Sequence, residues 1–155
     1  MSNLSKTPFI ITIDGPAGAG KGTISKLVSQ NMGFHYLDSG AIYRVIAFEA
    51  NQKGLATDQI SQITELINEI NIQFIGDKIF LTDKDVSELI RSEDIGKFAS
   101  EIAKNEEIRK NILEFKNSFL KPPGLVADGR DMGTVIFPNA KVKISLTASI
   151  QARAN

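Results

Sequence analysis

The stretch that most constrains this chain runs from Phe9 to Thr23, where the apolar segment FIITID meets the glycine-rich GPAGAGKGT. Phe9–Asp14 is short and rich in β-branched residues, the composition of a buried strand. Beyond the glycines, Ile24, Leu27 and Val28 recur at helical spacing until Gly33, a natural helix stop. A buried strand that breaks at glycines and reopens as a helix is the context a phosphate-binding loop requires. Backbone N–H groups must turn inward around phosphate oxygens there, and Cβ atoms would obstruct that wrap. Gly15, Pro16, Ala17, Gly18, Ala19, Gly20, Lys21, Gly22 and Thr23 therefore form the candidate nucleotide cradle. The positive end of the helix dipole lies beside it. Lys21 is placed for the β- and γ-phosphates, and the Thr23 hydroxyl for Mg²⁺.

The remaining pattern predicts an α/β fold. Phe34–Leu37 reads as a second short strand, and Asp38 and Ser39 can cap a helix over Ala41–Gln52 that stops at Gly54. Asp58 can cap another, with Ile60, Ile63, Ile67 and Ile70 on one face. The period then changes: Ile70–Phe74 alternates, Gly76-Asp77 supplies a turn, and Lys78–Leu81 returns as a hairpin. Ser92 can cap a helix toward Ala103. Asn105 begins a further one carrying Ile108, Ile112, Phe115 and Phe119, ended by Pro122-Pro123-Gly124. Leu125–Asp128 and Val142–Leu146 are two further candidates for buried strands. Strand–helix–strand with later apolar strands implies a mostly parallel sheet flanked by helices, P-loop NTPase-like, with the hairpin-bearing middle inserted.

Composition narrows the setting. The 155 residues carry 18 Lys+Arg against 18 Asp+Glu, so the chain lacks the basic excess of a duplex-binding protein, and no nucleic-acid partner is expected. It has no cysteine, hence neither a disulfide framework nor a thiolate metal site. The opening MSNLSKTPF lacks a signal-peptide core, and no apolar run approaches membrane-spanning length. A cytoplasmic protein without a membrane partner is expected.

Two further segments are candidates for binding anions. In DSGAIYR, Ser39 stands at a helix N-terminus and Arg44 about one turn inside, a pair able to hold a second anion; a plain N-cap and surface arginine is the competing reading. In ADGRD, Asp128 ends a buried strand, where nucleotide enzymes place a group facing Mg²⁺ or its waters. Arg130 supplies a planar donor fork for phosphate, and Asp131 an acceptor for sugar or base; a polar turn whose carboxylates pair with local arginines is the competing reading. Arg109 sits next to the apolar Ile108 on its helix and faces either a cleft or solvent. The sole histidine, His35, is read as structural.

These residues suit transfer of a phosphoryl group to an acceptor that is itself a phosphate. Such an acceptor is already anionic near neutral pH and needs no general base. It needs charge neutralisation and alignment, which Lys21, Arg44, Arg109 and Arg130 can supply. Lys21 and Arg130 are the expected catalytic pair.

With those residues in place the chain resembles the bacterial-type cytidylate kinases, relatives of adenylate kinase, along nearly its whole length. ITIDGPAGAGKGT, YLDSGAIYRV and ADGRDMGTVIFPNAKVKISLTAS are similar to three of that family's blocks, in order and spacing. The GKGT ending, with Gly22 between Lys21 and Thr23, is the form found in nucleoside monophosphate kinases. The resemblance implies ATP as phosphoryl donor with Mg²⁺, and CMP or dCMP as acceptor. It implies that Ser39, Arg44, Arg109, Arg130 and Asp131 hold the CMP phosphate and sugar region, and that Ser100 helps recognise cytosine. It implies a core of residues 1–38 and 104–155, with 39–103 as the inserted monophosphate-binding subdomain. A monomer is expected. Family members continue past Asn155 into an arginine-rich lid and a C-terminal segment. The 155 residues alone are therefore expected to be a poor kinase and the longer protein a good one. The alternatives are a P-loop kinase for another small acceptor, and a nucleotide-binding module without turnover.

Overall fold

The computed structural model describes residues 8–16, 19–130 and 132–147. Ala17, Gly18 and Asp131, three of the expected ligand-binding residues, lie outside the described residues. The chain divides into two compact units: one comprises the residues up to Ser39 and from Ser118 onward, the other Gly40–Asn117.

The first unit is built on a four-stranded parallel sheet of β1 (Phe9–Asp14), β2 (His35–Asp38), β6 (Gly124–Gly129) and β7 (Val142–Ser145), in the order β2-β6-β1-β7. Helix α1 (Lys21–Met32) joins β1 to β2. Pairing of Ile11 with both Val126 and Val142 fixes the register, and side chains alternate across the sheet from that row. Ile11, Ile13 and Val126 form the buried cluster on one face, packed by Phe9, Val28, Phe34, Ile144 and Leu146. The parallel register brings Asp14, Asp38 and Asp128 to the same carboxyl-terminal edge. In open α/β sheets this edge is where ligands bind.

Helix α1 differs from its apolar periodicity. Ser25 and Ser29 are its buried residues, whereas Ile24 and Leu27 are 37% and 55% exposed. The serine hydroxyls donate back to the Lys21 and Lys26 carbonyls at 2.6 and 2.9 Å. So satisfied, two small side chains let the helix lie close to the strands, and Val28 alone of the three apolar residues reaches the core cluster. Gly33 ends the helix in the left-handed conformation, φ 68, as its position in the sequence predicts.

The second unit contains most of α2 (Ser39–Gln52), with α3 (Ile60–Glu69), the antiparallel β3 (Ile72–Ile75), β4 (Lys78–Leu81) and β5 (Lys84–Asp85), α4 (Glu93–Ile102) and α5 (Glu106–Asn117). Helix α5, grouped with the core in the sequence reading, packs along α3 here. The hairpin pairs Ile72 with Leu81 through Ile75 with Lys78, and β5 adds a short third strand. Ser92 caps α4 by accepting the Ile95 amide at 3.2 Å, and Asn105 caps α5 by accepting the Ile108 amide at 3.0 Å. The expected Asp58 cap is not formed. The residue flanking α3 is Gln59, whose side chain turns back to accept the Ala56 amide at 2.8 Å. No helix among the described residues is long and apolar enough to cross a membrane.

Candidate nucleotide-binding sites

The glycine-rich segment leaves β1 at its carboxyl end and delivers the chain into α1. The Gly15 amide is held by the Gly129 carbonyl at 3.3 Å, and a Cβ at Gly15 would stand 2.9 Å from the Leu146 carbonyl oxygen, so only glycine fits between these strands. The Ala19 amide folds back on the Pro16 carbonyl at 3.3 Å. Gly20, at φ 83, makes the left-handed step that precedes the helix. No acidic residue occupies the first turn of α1, so the positive end of its dipole is uncompensated, as anion binding favours. Lys21 is the first helical residue and is half-buried, Gly22 has open space around it, and Thr23 is exposed.

Beside this loop, Asp128 is buried at 2% exposure. Its Oδ2 accepts the Tyr36 hydroxyl at 2.6 Å. Burial first, then the neighbouring Asp38 charge, lifts the Asp128 carboxyl from 3.8 to about 6, against the opposing pull of Tyr36, Lys21 and Ser25. Burial and the charges of Asp38 and Asp128 likewise push the Tyr36 phenol up. Asp14 serves the scaffold: its two carboxylate oxygens accept the Met132 and Gly133 amides at 2.6 and 2.9 Å, capping the π-helical turn Met132–Ile136. Ser39, 8% exposed, packs against the end of β6, where a Cβ on Gly129 would stand 2.8 Å from its own. Arg130 follows β6 directly and is exposed.

Arg44 and Ser100 meet elsewhere, within the second unit. They line a cleft of about 640 Å³ together with Arg91, Ser92, Gly96 and Lys97 and the acidic Glu93 and Glu101. The Arg44 guanidinium donates through Nη1 to the Ile90 carbonyl at 2.9 Å. Arg109 does not line this cleft. Its Nη1 donates to the Ala103 and Lys104 carbonyls at 2.9 and 3.0 Å, tying α5 to the end of α4.

Sequence reasoning passed over Tyr36 and Asp38 beside Asp128, and Arg91, Ser92, Gly96 and Lys97 in the cleft. A signal for part of the cleft was present: Ser92, Gly96 and Ser100 recur every four residues, a small-residue stripe on one face of an amphipathic helix. Tyr36 gave none, since its partner lies 92 residues away.

The donor set fits a nucleotide with magnesium. Among the described residues no cluster of three His, Cys, Asp or Glu is arranged as a metal cage. One hydroxyl at Thr23 and one carboxylate at Asp128 match the habit of Mg²⁺, which keeps waters and phosphate oxygens and takes few protein ligands. A parallel sheet whose first strand feeds a glycine turn and an acid-free helix start defines the class: an α/β protein of the phosphate-binding-loop type.

Comparison with known proteins narrows the class. The family model described as cytidylate kinase matches residues 11–155. The chain belongs to the cytidylate kinase family. Cytidylate kinase of Nitrosomonas europaea is 48% identical over 145 residues, 94% of this chain and 65% of that protein. Cytidylate kinase of Vibrio vulnificus is 46% identical, with 97% of this chain and 68% of that protein covered. For that of Azotobacter vinelandii the figures are 43%, 97% and 69%. The chain thus spans about two thirds of the length of these relatives. Among solved structures, the crystal structure of TT1252 from Thermus thermophilus is similar at a TM-score of 0.45 and 21% identity, covering 96% of this chain and 70% of that one. The family assignment rests on the sequence matches.

Proposed function

We propose that these 155 residues carry the nucleotide-binding sites of a kinase that moves the γ-phosphoryl group of ATP to CMP or dCMP, in pyrimidine nucleotide metabolism. The observation that carries this reading is the start of α1: Lys21 follows a left-handed glycine on a helix with no acid in its first turn. ATP is held by Gly15 to Thr23, with the amides around its phosphates and the Lys21 ammonium alongside. Thr23 and Asp128 hold Mg²⁺, which supplies charge neutralisation when bound. Lys21 and Arg130 stabilise the transferring group.

The acceptor is held by Ser39, Arg44, Ser100, Arg109, Arg130 and Asp131, with residues 39–103 as the monophosphate-binding insertion. A phosphate oxygen of CMP attacks the γ-phosphorus as the bond to the β-phosphate oxygen breaks, releasing ADP. Because that oxygen is already anionic, no side chain need take a proton. That Arg44 and Ser100 line one cleft supports a site reading both an acceptor phosphate and a base. A monomeric cytoplasmic enzyme without nucleic-acid or membrane partners fits the balanced charge and the absence of cysteine.

An acceptor panel tests the reading. ADP formation with magnesium should rank CMP and dCMP above UMP and AMP, whatever the absolute rate. A preference for AMP would contradict the assignment of acceptor.

A further inference from the structure

Gly96 lies on α4, in the wall of the cleft that holds Arg44 and Ser100. A Cβ built at this position would stand 3.1 Å from Arg44 Nη2, 3.3 Å from Nη1 and 3.4 Å from Cζ. The two amino nitrogens are nearer than the central carbon, so a side chain here would crowd the amino end of the guanidinium obliquely. The N–H groups of that end lie in the plane of the group. One of them is already engaged, Nη1 with the Ile90 carbonyl at 2.9 Å in the turn Leu89–Arg91. The amino end of the guanidinium is therefore held by the Ile90 carbonyl and lies close to the helix where Gly96 has no side chain. Its remaining donors are left for the cleft. Glycine is not a natural choice for a helix interior, where it is the weakest former after proline. Nor does the backbone at Gly96 require it, since its φ is not in the left-handed range. Room for Arg44 is what the missing side chain provides.

We propose that Gly96 is a positioning residue for the acceptor phosphate: by leaving its Cβ site empty, it lets the amino end of Arg44 settle against α4 in the wall of the cleft, on the Ile90 carbonyl. This rests on the reading of Arg44 as a phosphate ligand, and deepens it. A planar fork binds phosphate well only when already oriented, because a donor that must be reoriented gives back much of its gain. A side chain at residue 96 displaces the fork, and residue 96 belongs to a different compact unit from the glycine loop.

The test is a double-mutant cycle read by calorimetric titration of CMP into the 155-residue chain, with ATP titrated as the control. Gly96→Leu is the main variant; leucine favours helix more than glycine does. CMP affinity should fall by about tenfold to a hundredfold, the range of a lost charged hydrogen bond, while ATP affinity changes by less than about twofold. In the Arg44→Ala background the same substitution should cost no further affinity, within about twofold. Gly96→Met, unbranched along its whole length, repeats the cycle if the leucine variant does not fold. Unchanged CMP affinity in the folded Gly96 variants overturns the inference. So does an equal loss with and without Arg44, which means the new side chain merely fills the cleft. If instead the unsubstituted chain takes up no CMP, or Arg44→Ala binds it as well as before, the reading of the acceptor site falls, and the inference falls with it.

Discussion

Asp128 carries a charge in a place that disfavours it. At 2% exposure, with Asp38 beside it, its carboxyl is lifted from 3.8 to about 6, and the Tyr36 hydroxyl at 2.6 Å only partly compensates. A cation bound there, as proposed for Mg²⁺, would replace the lost solvation. Above pH 6 the group is ionised in both folded and unfolded chains, and the burial penalty is fully present. As pH falls from about 6 towards 3.8 the folded chain takes up the proton first, and the penalty disappears. Asp128→Asn in metal-free buffer should therefore be more stable than the parent at pH 7, by about 1–3 kcal/mol. That advantage should fade across the same window in denaturant titrations. An asparagine variant less stable at pH 7 would contradict the account. Lys21 is a different case, half-buried at a helix start rather than in the core. Lys21→Ala should leave the thermal midpoint nearly unchanged and weaken ATP binding by about tenfold or more, measured by calorimetry.

At the scale of elements, helix α5 holds Lys116, 4% exposed, with its ammonium 5.3 Å from the centre of the Tyr43 ring on α2. Burial lowers its pKa from 10.5 to about 8. The charged form is thus penalised in the folded chain below about pH 8, and the penalty is lost as pH rises towards 10.5. Lys116→Met keeps the aliphatic stem and drops the charge. It should raise stability at pH 7 by about 1–3 kcal/mol, an advantage that shrinks between pH 8 and 10.5. Strand β6 gives a prediction of opposite sign. A Cβ at Gly124 would meet the Phe9 carbonyl oxygen at 2.6 Å and the Phe34 ring at 2.8 Å. Gly124→Ala should lower stability by about 1–3 kcal/mol in urea unfolding, because a paired strand and a packed ring must both shift.

Elements with local signals were legible from the sequence: the Ser92 and Asn105 caps, the Gly33 stop and the Ile72–Leu81 hairpin each depend on residues a few positions apart. The turn Met132–Ile136 was not, since its amides are capped by Asp14 from 118 and 119 residues away. Nor was the buried face of α1, where close approach to the sheet favours serines over larger apolar side chains.

For the whole molecule, the two units each carry one anion-binding candidate: the glycine loop in the first, the Arg44–Ser100 cleft in the second. The loop was legible outright, because strand, glycines, lysine and helix are contiguous. The cleft was legible only in part, through Arg44 as an anion candidate and the small-residue stripe of α4, because its members come from α2, α4 and the turn Leu89–Arg91, and the carbonyl that holds Arg44 leaves little mark on the sequence. A ¹H–¹⁵N titration separates the two sites in one measurement. ATP with magnesium should shift the amides of Gly20, Lys21, Gly22 and Thr23 first, and CMP should shift those around Arg44, Gly96 and Ser100. ATP binding that leaves the Gly20–Thr23 amides unmoved would contradict the phosphate cradle, and with it the kinase reading.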